Sequence, residues 1–144
     1  MSLPWRVSPS YAAFTARPDM HTMNDWHGRA NEKGETMPLY LSRFSYTPET
    51  WARLIGHTED RREAAQSYIQ SVGGKLHGFW YAFGTHDGYT LWEAPDNVSM
   101  AAVALAIGSG GALSSLETTV LLTVDETMEA LRKADQVQYR APGA

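Results

Sequence analysis

The reactive side chains of this sequence gather in a few short stretches. The run Gly84 to Asp96, GTHDGYTLWEAPD, holds His86, Asp87, Tyr89, Trp92 and Glu93. His86 beside Asp87 has the composition of a base with its orienting carboxylate. Neighbours on a strand point to opposite faces, however, so a direct bond between them needs a bend at the turn. The architectural alternative is that Gly84 takes an unusual backbone angle, His86 sits at a loop tip and Asp87 satisfies turn amides. Glu93 also has two readings: a general acid or base in a cavity, or an ion-pair partner for Arg43 on the first strand. Arg43 interrupts a strand-like run, and its planar fork suits a carboxylate ligand or an ion pair between subunits. His77, with Trp80 and Tyr81 nearby, can line a pocket for a planar aromatic molecule or join aromatic packing in a core or interface.

Other chemistries have no carrier. The chain has no cysteine, which removes thiolate metal sites and Cys nucleophiles. There is no phosphate-binding loop, dinucleotide fingerprint or HExxH. Gly108-Ser109-Gly110-Gly111 follows a helix and so stops it. Ser114 and Ser115 have no positioned base. His21, Asp25 and His27 have metal-ligand types, but they lie in a turn-rich segment without evident means of orienting them, and no metal is expected there. Haem would need a histidine facing an apolar cavity, a role open only to His77. No cofactor is expected.

The elements that must hold these residues begin at Met37. Leu39–Tyr46 alternates as a strand, with Leu39, Leu41, Arg43 and Ser45 on one face and Tyr40, Ser42, Phe44 and Tyr46 on the other. Thr47-Pro48-Glu49 opens a helix with a cap, a proline at the first position and an acid in the first turn. Gly56 interrupts it, Thr58-Glu59-Asp60 caps a continuation, and Gly73-Gly74 ends it, giving one kinked helix or two short ones. Lys75–Phe83 reads as a second strand and Gly88–Glu93 as a third. Asp96 caps a helix over 97–108, Leu116–Leu122 makes a fourth strand, and Thr123 with Glu126 forms a capping box for a helix to about Lys133.

The order β-α-β-β-α-β predicts an α+β, ferredoxin-like fold: a four-stranded antiparallel sheet with helices on one face. The middle strands carry large aromatics on both faces, a larger exposed patch than monomers usually tolerate. A homodimer joined sheet to sheet is the expected resolution.

Residues 1–36 differ in character, with three prolines, scattered aromatics and four acidic against four basic residues. They read as an unordered extension. Lys33 to Thr36 can be encoded so that GGAG stands a few bases before the Met37 codon, as at a bacterial ribosome-binding site, so Met37 is an alternative expected start. The folded domain is read as 37–134, with a flexible tail over 135–144. A net charge of −4 argues against nucleic acid as a partner. No apolar run reaches the ~20 residues of a membrane span and the N-terminus has no secretory core, so a cytoplasmic protein with no membrane partner is expected.

Several of these stretches together resemble the GYD-domain family: Tyr46-Thr47 before the first helix, Arg62-Glu63-Ala64, the hairpin Gly84-Thr85-His86-Asp87, then Glu93-Ala94-Pro95-Asp96, and Glu117-Thr118 in the last strand. The resemblance covers about Met37 to Lys133. The family's hairpin tyrosine is His86 here. The resemblance implies small bacterial proteins of dimeric α/β-barrel type and no established reaction. The functional expectation is a homodimeric module that binds a small apolar or aromatic ligand, as a binder or a cofactor-independent enzyme, through Arg43, His77, Trp80, His86, Tyr89, Trp92 and Glu93. The alternative is a non-enzymatic, self-associating structural or regulatory module.

Overall fold

The computed structural model describes residues 28–144. Eight elements follow in order: β1 (Leu39–Tyr46), α1 (Pro48–Gly56), α2 (Arg61–Ser71), β2 (Lys75–Tyr81), β3 (Gly88–Glu93), α3 (Asn97–Ser109), β4 (Leu113–Leu121) and α4 (Val124–Ala134). The strands form one sheet in the order β2-β3-β1-β4, and every neighbouring pair is antiparallel. This is the predicted ferredoxin-like arrangement, and the interrupted first helix proves to be two helices.

The helix boundaries follow from their caps. The Thr47 hydroxyl accepts the Thr50 amide at 3.2 Å, Asp60 accepts that of Arg62 at 2.9 Å, and Asp96 accepts that of Ser99 at 2.7 Å. Each meets one of the donors that a helix start leaves without an intrahelical partner. At α4 the capping box is complete in both directions. The last turn of α2 gives way to Gly73 at φ 82°, a left-handed conformation that glycine adopts without steric cost.

β1 alternates as its sequence pattern requires. Tyr40, Ser42, Phe44 and Tyr46 are buried beneath the helices, while the alternate residues lie half-buried on the opposite, open face. The core joins Tyr40 and Trp92 from the sheet to Ile69 of α2, Ala94 and Val103 of α3. Tyr40 and Trp92 rings meet at 5.2 Å between centroids. Gly88 lies so close under the Phe44 ring that a Cβ there would collide with it.

The limits of two strands differ from the sequence reading. β2 stops at Tyr81 because the chain turns there, the Ala82 amide donating to the Asp87 carbonyl at 2.7 Å, and Phe83 is left 92% exposed in the loop. β4 starts earlier, at Leu113, because its ladder with β1 continues through a bulge opposite Ser45 and Tyr46.

Residues 28–36, part of the stretch read as an extension, fold back in a tight turn. Ala30 bridges Thr36, and the Asn31 side-chain oxygen accepts the amides of Lys33 and Glu35, each at 2.9 Å. The turn leads into the buried Met37. His21, Asp25 and His27 lie outside the described residues. Among the described residues, no helix is long and apolar enough to cross a membrane.

Candidate functional site

The sheet separates the predicted site residues into two sets. Arg43, His77, Trp80, His86, Tyr89 and Glu93 share the open face, whereas Trp92 points the other way, into the helix-covered core. Trp92 stands opposite Tyr40 in the β1–β3 ladder, so it inherits the buried side of β1. It therefore cannot form one wall of a pocket with Trp80, contrary to the sequence expectation.

The open face divides again along its strands. Arg43 lies opposite Tyr89, and Glu93 lies opposite Leu39. Four residues of strand rise, about 13 Å, separate the two positions, so the expected Arg43–Glu93 ion pair does not form. Arg43 instead reaches across to β4, 3.4 Å from the Glu117 carboxylate and 3.3 Å from the Thr119 hydroxyl. His86 leans on the same cluster, edge-on to Tyr89 with ring centroids 6.0 Å apart. Its Nε2 is 3.9 Å from Glu117, too long for a hydrogen bond. With its side chain only 15% exposed, His86 is tucked against the sheet and is not a loop tip.

At the other end of the open face, Glu93 is completely buried. One carboxylate oxygen accepts from the Arg29 guanidinium at 3.2 Å, and the other is 3.3 Å from His77 Nε2. A buried carboxylate needs such partners, because taking a lone charge out of water is far more costly than burying a paired one. His77 therefore faces Glu93 across the β2–β3 ladder. It does not face the apolar cavity, which removes the geometry that haem ligation by His77 would need.

His86 and Asp87 point apart, and no base–carboxylate pair exists between them. Asp87 faces the helix side, where its Oδ2 accepts the Tyr46 amide at 2.8 Å and the Trp51 indole N–H at 3.1 Å. Its role is the architectural one, but it satisfies β1 and α1 where turn amides were expected. Gly84 is not among the glycines with positive φ, so the hairpin does not use it for an unusual backbone angle.

A partly open pocket lies on the helix side. Between the sheet and helices α2 and α3 is a cavity of about 280 Å³. Phe44, Phe79, Trp92, Val103, Ile107 and Leu116 give it apolar walls. Its floor carries a small polar chain: the Trp92 indole donates to the Ser42 hydroxyl at 2.9 Å, which is 2.9 Å from that of Thr118. Tyr46, Tyr68 and Arg61 also border it. Burial, reinforced by the Tyr81 hydroxyl, raises the Tyr46 pKa above its ordinary value, with the Arg61 charge opposing. Burial likewise raises Tyr68, again against the charge of Arg61. Both phenols are thereby held neutral.

Of the residues predicted for a site, only Trp92 lines this cavity. Sequence reasoning missed Ser42, Arg61, Tyr46, Tyr68 and Thr118 as lining groups. Ser42 had a signal, a polar residue on the otherwise aromatic face of β1. Arg61 had none, since an arginine in the first turn of a helix reads as solvated. A second, shallower depression of about 480 Å³ runs along the β2 edge beside Trp80, and its Asp60 and Arg62 are already paired at 2.7 Å. Among the described residues, no three His, Asp or Glu side chains gather in an arrangement that could hold a metal ion.

Comparison with solved structures finds partial similarities. The crystal structure of an uncharacterized NIPSNAP-like domain protein from Burkholderia xenovorans matches at 16% identity and a TM-score of 0.39, covering 60% of this chain and 84% of that one. The crystal structure of MtbAldR matches at 13% identity and a TM-score of 0.39, covering 73% of this chain and 58% of that one. No curated protein matches the chain at a significant level. A family model, the GYD domain, matches residues 40–131, from within β1 to within α4, and so includes the cavity and the Arg43–Glu117 cluster, while Arg29 of the Glu93 cluster lies before it. This chain belongs to the GYD-domain family.

Proposed function

We propose that this protein is a homodimeric binding module for a small apolar or aromatic ligand, held in the cavity between the helices and the sheet. The observation that carries the reading is the cavity. About 280 Å³, partly open to solvent, stays unfilled here between aromatic and aliphatic walls. Apolar cavities of about 150 Å³ already admit benzene. The volume lies just under the ~300 Å³ at which ligand pockets generally begin, which limits the ligand to on the order of ten non-hydrogen atoms, taking ~30 Å³ for each water-sized unit.

Self-association has separate support. The open sheet face carries half-buried Leu39, Leu41 and Leu91 and a Trp80 that is 54% exposed. α4 buries none of its residues and presents Val124, Met128 and Leu131 to solvent. A second copy of the chain would cover surface that is costly to leave in water. The unpartnered face of α4 also favours the alternative, in which self-association is the whole function and the cavity is incidental.

Toluene and indole are suitable first probes. Saturable shifts of the Val103, Ile107 and Leu116 methyl resonances are expected on titration, and their absence for both probes refutes the ligand reading. Light scattering should give a dimer for the native chain and a monomer for Met128→Lys/Leu131→Lys. A native monomer refutes the self-association reading.

A further inference from the structure

The polar groups around the cavity are unevenly distributed. Arg61 is the one charged residue in the lining, and no carboxylate accompanies it there. The Tyr68 hydroxyl borders the same region, with Ser42, Thr90 and Thr118 deeper on the sheet, while the Tyr46 hydroxyl is engaged with Tyr81 and Arg61. An arginine stays charged at any ordinary pH and presents a planar fork that matches a carboxylate. The neutral Tyr68 phenol adds a donor of the same sense.

The position of Arg61 is unusual for a cation. As the first residue of α2 it sits at the positive end of a helix dipole, where cations are disfavoured. Its guanidinium is balanced from outside by Glu59 at 2.7 Å, which uses one of its five donors. Asp60 and Arg62, the other charges beside it, neutralise each other at 2.7 Å. The cavity is thus bordered by one cation and two phenols, while Glu59, which pairs with that cation, and Asp60, which pairs with Arg62, lie outside its lining.

We propose, building on the ligand-binding reading above, that the ligand is a small apolar or aromatic carboxylic acid, its body between Phe44, Trp92 and Val103 and its carboxylate on Arg61 and Tyr68. A cationic ligand would meet Arg61 and find no carboxylate in the lining to hold it. A fully neutral ligand would leave Arg61 with Glu59 as its acceptor and would gain no ion pair of its own. Glu59 acts as an internal competitor that occupies Arg61 when the cavity holds no acid.

The test uses three probes of nearly the same shape on the full chain: phenylacetate, phenylacetamide and phenethylamine, followed by the methyl resonances of Val103, Ile107 and Leu116. Phenylacetate should bind about 10- to 100-fold more tightly than phenylacetamide, the range of a hydrogen bond to a charged group, and phenethylamine should not saturate. Arg61→Gln should abolish the preference for the acid, bringing phenylacetate down to the affinity of phenylacetamide. The exposed substitution Glu59→Gln should strengthen phenylacetate binding alone. Equal affinity for acid and amide, or a preference that survives Arg61→Gln, overturns the carboxylate proposal and leaves the cavity reading standing. If no probe shifts these methyls, toluene included, both readings fall.

Discussion

Replacing Asp87 with alanine tests what the hairpin carboxylate is for. Asp87 Oδ2 accepts two hydrogen bonds, from the Tyr46 amide at 2.8 Å and the Trp51 indole at 3.1 Å. It thereby ties the β2–β3 loop to the end of β1 and to α1. Hydrogen bonds to a charged acceptor contribute about 1.5–3 kcal/mol each, and a buried donor left unsatisfied costs about 1–3 kcal/mol. Tyr46 is buried and Trp51 half-buried, so water can replace the acceptor more readily at the indole than at the amide. The expected loss for Asp87→Ala is therefore about 2–4 kcal/mol, a large share of the ~5–15 kcal/mol that holds a typical domain together. With a urea slope of ~2 kcal/mol per molar, the midpoint should fall by about 1–2 M. Asp87→Asn keeps an oxygen and loses the charge, and should lie near the middle of that range. Urea unfolding followed by tryptophan fluorescence reads both, and the Tyr46 amide should exchange with solvent faster in the alanine variant. A midpoint shift under ~0.3 M at unchanged slope would refute the reasoning and assign the hairpin's stability to aromatic packing around Phe44 and Tyr46.

Two further outcomes follow from buried polar groups. Glu93→Ala leaves His77 without the carboxylate it faces and should destabilise by about 1–3 kcal/mol, because the 57% exposed Arg29 keeps its water, whereas Glu93→Leu, which restores volume without charge, should cost clearly less; thermal melts of the pair distinguish these. Burial, with a smaller contribution from the Asp96 charge, pushes the Tyr40 hydroxyl from 10.0 up to about 12. Its stabilising contribution is therefore complete below pH 10 and lost as pH rises towards about 12, and Tyr40→Phe should make the fall in stability over that window shallower.

Much of the scaffold was legible because local chemistry specifies it. Thr47, Asp60, Asp96 and the Thr123–Glu126 pair mark helix starts through bonds to amides two or three residues away, and such bonds need no tertiary context. The two faces of β1 were legible for a similar reason, since a period of two is a property of the extended chain. The site was less legible. His86 and Glu93 stand close in sequence, yet they belong to separate clusters, one around Glu117 of β4 and one around Arg29, because each is defined by what the neighbouring strand or turn brings opposite it.

The sequence by itself determined the order and type of the elements, the caps that bound them, the family, and the alternation that buries Tyr40, Ser42, Phe44 and Tyr46. Only the tertiary structure decided that Trp92 faces the helices while Trp80 faces away, that Arg43 meets Glu117 instead of Glu93, and that Arg61 borders an apolar cavity. The physical reason is that alternation says which residues share a face. Strand register and helix packing, set by the whole buried core at once, decide what that face meets.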